Sequence, residues 1–346
     1  MSANYKKLGD YIQPVDIRNS DLQISHLLGL SIEKCFIESI ANTIGTDFRP
    51  YKIVKKGQFA YGPVTSRNGD KITIALLKEA EVCIISSSYS VFEITDTTKL
   101  LPEYLMLWFS RPEFDRYARY KSHGSVREIF DWDEMCRVEL PIPDLKEQEK
   151  IVNTYNAITK RIQIKKKINE NLERTAQCLF DELNKDKTSN EKLGNIAEIN
   201  SGKRPDDISD GLIPFVGAGD VMGYINNYNY DGKTLVIGRV GTHGKVQRFN
   251  DKCWCSDNTL TIKSKYFEYT YFILKNIDYS LLNRGSTQPL ITQTDMKDFE
   301  IYFNRDEILN FENSVSKIMN NYDMNKVEIA KLQELKQLII SRISGM

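Results

Sequence analysis

Apolar positions fall into two kinds of pattern along this chain. Short runs of β-branched and aromatic residues, such as 72–77, 82–85, 234–237 and 259–262, are bounded by Gly, Asn and Asp and predict strands. A helix-like run, PEYLMLWFS from Pro102, has a weaker counterpart in YTYFILKNI from Tyr269. Two longer stretches behave differently. After Ile151, positions Tyr155, Ile158, Ile162, Lys165, Asn169, Leu172, Ala176, Leu179 and Leu183 step alternately by three and four, the spacing of a coiled-coil seam with Lys165 and Asn169 as polar members. Phe311, Val315, Ile318, Tyr322, Asn325, Ile329, Leu332, Lys336, Ile339 and Ile343 repeat it. Pro141 and Pro143 stop what precedes the first stretch, and Asp144 with Glu147 makes a capping-box-like start.

The two patterns recur in the same order because the chain carries an internal duplication. Lys7-Leu8-Gly9 returns as Lys192-Leu193-Gly194, an offset of 185 (192 − 7). GSVREIFDWDEMCRVELPIP from Gly124 matches GSTQPLITQTDMKDFEIYFN from Gly285, an offset of 161 (285 − 124). The expected fold class is therefore α+β: two tandem domains of mixed α/β fold, at 1–143 and 187–303, separated by two long helices, at 144–186 and 304–346. The first helix leaves domain one and delivers the chain to domain two, so a second helix burying its seam on the first must run back. That predicts an antiparallel coiled coil. About 38 residues at about 1.5 Å each give a rod of about 57 Å.

Composition narrows the class. The 346 residues are 41% hydrophobic and 27% charged, the balance of an ordinary globular chain. No apolar run is long enough for a membrane span, and the N-terminus lacks the apolar core of a signal peptide, so a cytoplasmic location is expected. Six scattered cysteines with one CxC give neither a disulfide framework nor a zinc site. Lys plus Arg and Asp plus Glu are both 47, so any polyanion binding rests on local patches.

Two such patches stand out. RYARYKSHGSVR (116–127) holds Arg116, Arg119, Lys121 and Arg127 with no acid among them, and Tyr117 and Tyr120 between the charges. Guanidinium and ammonium groups neutralise phosphates, and Arg can fork onto guanine. GRVGTHGKVQRFNDK (238–252) holds Arg239, Lys245, Arg248 and Lys252 against Asp251. Its domain-one counterpart is GPVTSRNGDK (62–71), with Thr65, Ser66, Arg67 and Asn68 where domain two has Gly241, Thr242, His243 and Gly244. Equivalent loops with unlike side chains fit two readers of different sequences; drift in surface loops is the plainer reading.

Catalytic motifs are absent. Gly244-Lys245 is followed by Val246, which fails the phosphate-loop pattern. Phe215-Val216-Gly217-Ala218-Gly219 resembles the glycine turn of adenosylmethionine-dependent methyltransferases, but the chain has no Pro-Pro dipeptide. Asp206, Asp231 and Lys233 imitate the acid, acid, lysine set of metal-dependent nucleases, and His243 with Cys253 and Cys255 is a weak metal pattern. No triad is marked.

Taken together, GSVREIFDWDEMCRVELPIPDLKEQEKIV, IPFVGAGD, IGRVGTHGKV, WCSDNTLTI and RGSTQPLITQTDM resemble the specificity (S) subunits of type I restriction-modification systems, over nearly the whole chain. The resemblance implies two target recognition domains, each reading one half of a split double-stranded DNA sequence, separated by two antiparallel helices. It implies two methyltransferase (M) subunits and restriction/translocase (R) subunits as partners. Adenosylmethionine, ATP and magnesium then belong to those partners and none to this chain, which is expected to be non-catalytic and to select DNA only in assembly. Ser125 and Arg127, with Ser286, Thr287 and Gln288, are the DNA-contacting positions carried over by the matching segments. Thr65, Ser66, Arg67, Arg116, Arg119, Lys121, Arg239, Thr242, His243 and Lys245 join them from the patches. The rival expectations are a stand-alone metal-dependent nuclease using Asp206, Asp231 and Lys233, and a coiled-coil scaffold without DNA contacts.

Overall fold

The computed structural model describes residues 5–39, 44–66, 68–124, 127–240, 244–282 and 290–343. The chain divides into two compact units, residues 1–164 with 329–346, and residues 165–328.

The first unit is built on a four-stranded antiparallel sheet in the order Ile12–Val15, Ser90–Ile94, Phe59–Tyr61, Ile74–Leu76. Helices α1 (Pro102–Phe109) and α2 (Pro112–Lys121) each begin with Pro in the first turn, where a missing N–H costs nothing. They bury Tyr104, Leu105, Phe109 and Phe114 in one core with Phe59, Phe92 and Phe130. α3 (Trp132–Cys136) is capped by Asp131, whose carboxylate accepts the Glu134 N–H at 2.8 Å. α4 (Leu145–Asn184) is one helix of 40 residues. Asp144 Oδ1 accepts the Glu147 N–H at 2.9 Å, which is the cap expected from the sequence.

The second unit repeats the plan. Its sheet order, Ala197–Ser201, Thr259–Ser264, Thr234–Gly238, Gln247–Phe249, copies the first strand for strand and is antiparallel throughout. The short α5 (Leu193–Ile196) precedes this sheet, and α6 (Phe267–Asn276), α7 (Gln293–Lys297) and α8 (Arg305–Arg342) follow it. A three-stranded sheet, Val221–Ile225, Asp210–Val216 and Trp254–Cys255, is added beside them.

The duplicated triplets have a packing reason. Leu8 N donates to Val138 O at 2.8 Å and Leu193 N to Phe299 O at 2.9 Å, bonds related by the two sequence offsets. A Cβ on Gly9 would lie 2.8 Å from Cys136 Cβ, and one on Gly194 would lie 2.9 Å from Lys297 Cβ. Only glycine lets the chain pass so close to α3 and α7.

Both units contain antiparallel helix pairing. In the first, Ile151 and Val152 share the core with Ile343, and Lys336 Nζ lies 4.8 Å over the Tyr155 ring. In the second, Lys165 meets Asn325, Asn169 meets Tyr322, and Phe180 packs on Phe311. The seam is corrected at one end: Leu179 is exposed and Phe180 takes its place in the core. Among the described residues, no helix is long and apolar enough to cross a membrane.

Candidate nucleic-acid interface

In the first unit the fold brings the two domain-one patches together. Val64 bridges Ile129, Phe130 N donates to Pro63 O at 2.8 Å, and Thr65 N donates to Glu128 O at 3.0 Å. Thr65 is buried, and its hydroxyl donates to Ser122 Oγ at 2.8 Å, so this side chain holds the loop. Arg119 reaches the same place, with Nη1 3.5 Å from Thr65 Oγ1 and an ion pair to Glu128. Gly124 has φ +136, and a Cβ there would lie 2.1 Å from Arg127 O, which explains the glycine of the GSVR segment. Ser66 and Arg127 are exposed beside this junction in the chain. Tyr117 packs edge-on to Phe130, while Tyr120 is exposed with Lys121 Nζ 5.9 Å over its ring. Arg116 pairs with Glu113 at 3.1 Å.

The second unit makes the same junction. Val240 bridges Leu290 and Ile291 N donates to Arg239 O at 3.0 Å, so the start of the glycine-rich loop meets residues 290–291. The segment offset of 161 takes Ile129 to Leu290 and Phe130 to Ile291. The loop correspondence of 176 (238 − 62) takes Pro63 to Arg239 and Val64 to Val240. The pairing is therefore inherited by both copies. Lys245 Nζ donates to Asp220 Oδ2 at 2.7 Å, and this contact holds the Asp220 carboxyl below the usual range. Lys252 Nζ lies 4.3 Å over the Tyr228 ring. Arg67, Ser125, Thr242, His243, Ser286, Thr287 and Gln288 lie outside the described residues.

Arg248 is not part of any exposed patch. Its side chain is 1% exposed and pairs with Glu268 at 2.6 Å and Asp323 at 3.0 Å. Phe267 and Tyr271 lie 4.9 and 4.6 Å from the guanidinium. Burial alone would drive this cation toward neutrality, but the bonds and charges of Glu268 and Asp323 outweigh it and raise its affinity for the proton. Lys233 approaches the same Glu268 at 4.0 Å, and Lys263 Nζ donates to Asp231 O at 2.9 Å. Cys253 and Cys255 are buried with sulfurs 3.6 Å apart in a small apolar cluster. Among the described residues, no group of three or more His, Cys, Asp or Glu is placed to hold a metal ion.

Sequence reasoning missed Glu128 and Asp220, the carboxylates that face the cations. The signal for Glu128 was present: it follows Arg127, one residue beyond the basic window.

A family model of the type I restriction modification DNA specificity domain matches twice, at residues 42–174 and 185–338. The chain belongs to this family. Relatives include the type I restriction enzyme MjaIX specificity subunit of Methanocaldococcus jannaschii, 24% identical over 70% of this chain and 68% of that protein. The HindI specificity subunit of Haemophilus influenzae is 27% identical over 37% of this chain, which spans 28% of that protein's length. The crystal structure of the type I restriction-modification system S subunit from M. genitalium shares the fold, with a TM-score of 0.64 at 13% identity over 99% of this chain and 96% of that one. As a type I specificity subunit, the chain owes its two matched segments to the duplication described above.

Proposed function

We propose that the chain supplies sequence specificity to a type I restriction-modification complex, each recognition domain reading one half of an asymmetric, bipartite double-stranded DNA target. The observation that carries this reading is the repeated junction: 63–65 against 128–130, and 239–240 against 290–291, at duplicated positions with unlike side chains around each. A shared frame with different tips is what two readers of different half-sites require.

In domain one, taken as 1–143, Ser66, Arg67, Arg119, Lys121, Ser125 and Arg127 face the DNA, with Arg116 at the flank, Thr65 holding the loop and the half-exposed Arg119 also bracing it. In domain two, taken as 187–303, the contacts come from Arg239, Thr242, His243, Lys245, Ser286, Thr287 and Gln288. Cations among them neutralise phosphates, while Arg and Gln can make paired hydrogen bonds to purine edges. The helices at 144–186 and 304–346 set the gap between half-sites and dock two methyltransferase subunits. Exposed apolar side chains support that docking: Ile164, Leu335 and Leu338 in the first unit, and Ile168, Met324 and Val327 in the second. Methyl transfer, translocation and cleavage belong to the partner subunits, this chain contributing no catalytic group, in a cytoplasmic complex.

The test uses the assembled complex with Arg127→Glu or Lys245→Glu. Each reversal is expected to relax or abolish selection at one half-site, a different half for each variant, read by sequencing methylated adenines. An unaltered methylation pattern in both variants contradicts the reading.

A further inference from the structure

Two cations of the basic patches, one in each domain, are not loose charges. Arg119 is paired with Glu128, and Lys245 with Asp220 at 2.7 Å. Each carboxylate is held by its own backbone. Glu128 O accepts the Thr65 N–H at 3.0 Å, which ties that residue to the neighbouring loop. Asp220 O accepts the Gly217 N–H at 2.8 Å, and Gly217 O accepts from the buried Gln247 side chain at 2.9 Å. Asp220 Oδ1 also accepts the Val221 N–H at 2.9 Å.

Duplication does not account for the pair. The offset of 161 takes Glu128 to Pro289, whereas Asp220 lies between the strands Asp210–Val216 and Val221–Ile225. Both recognition domains have thus acquired an acid against a reader cation by separate routes. A phosphate approaching Arg119 or Lys245 meets a carboxylate already paired with that cation and must compete with it for the charge. The gain on unrelated DNA is then small. At a correct half-site, base contacts supply what the exchange does not.

We infer that Glu128 and Asp220 are specificity-determining residues, internal stand-ins for phosphate that suppress binding to unrelated DNA. The inference rests on the DNA reading above and deepens it. The equality of 47 basic and 47 acidic residues fits, since no whole-molecule field draws the chain onto DNA.

The test is fluorescence anisotropy of a labelled duplex of unrelated sequence with the full chain over a series of salt concentrations. Glu128→Gln and Asp220→Asn should each raise affinity about two- to fivefold, the worth of one exposed ion pair. Each should steepen the fall of log K with log salt by about 0.9, one more neutralised phosphate. Glu307→Gln removes the same charge from the Lys187 pair at the start of α8 and should leave the slope at the wild-type value. Wild-type slopes in Glu128→Gln and Asp220→Asn overturn the inference and leave the DNA reading standing. So does a Glu307→Gln slope as steep as theirs, because total charge then explains the effect. If no version binds the duplex at the lowest salt, the inference falls, since neither acid then limits binding, while the DNA reading is still decided by the methylation pattern of the assembled complex.

Discussion

Arg248 and Glu312 show how a side chain's role is set by partners far away in the chain. Leu235 faces Arg248 across the second sheet as Phe59 faces Leu76 across the first, so the duplicated frame puts a cation where the other copy has a core leucine. Within QRFND nothing marks Arg248 as buried, because Glu268 and Asp323 come from α6 and α8. Glu312 lies near the same cluster and accepts the Tyr269 N–H at 2.7 Å. Burial, with the Glu268 charge adding to it, pushes its carboxyl up to about 7 from 4.5. Between those values the folded chain holds a proton that the unfolded chain has lost. Stability from this group is therefore greatest below pH 4.5 and declines until about pH 7, by about 3 kcal/mol at most. Denaturant unfolding of Glu312→Gln should show that decline removed relative to wild type; parallel pH profiles would contradict the assignment.

The long helices were the most legible elements, and their departures from expectation have one cause. A strict alternation of three and four follows a period of 3.5, while a straight α-helix turns in 3.6 residues, so the buried stripe drifts. Over α4 that drift replaces Leu179 with Phe180, and on α8 Met319 becomes fully buried beside Ile318. The polar seam members were legible as interruptions, but their bonding was not. Lys165 Nζ donates to Asn325 Oδ1 at 2.7 Å and pairs with Glu328 at 2.9 Å. Asn325 Nδ2 donates to Asn169 Oδ1 at 2.8 Å, and Asn169 Nδ2 to Tyr322 O at 3.0 Å. Each amide in this layer completes the other, which pins helix register as a buried Asn does in a coiled coil. Asn325→Leu alone strands the Asn169 Oδ1 acceptor and should cost about 1–3 kcal/mol. Replacing both asparagines with Leu should recover part of that loss in chemical unfolding. A double variant less stable than the sum of the two singles would contradict mutual satisfaction as the layer's role.

At the scale of the whole chain, the duplication was readable because packing repeats it. The glycines beside α3 and α7 fall at the offsets seen in the sequence, the junctions at Val64 and Val240 fall at the segment and loop correspondences, and the sheet order repeats strand for strand. What differs between the copies was not readable as function, since Thr65 and Arg119, both patch residues in sequence, prove to be spent partly inside the fold. The account's central claim is that one chain carries two unequal readers and thereby defines the target of its complex. Sequencing methylated adenines in host genomes with and without this chain tests it most directly. The account predicts one motif that depends on the chain, made of two different half-sites separated by an unspecified gap. A motif that persists without the chain, or a chain-dependent motif that is continuous or symmetric, would contradict it.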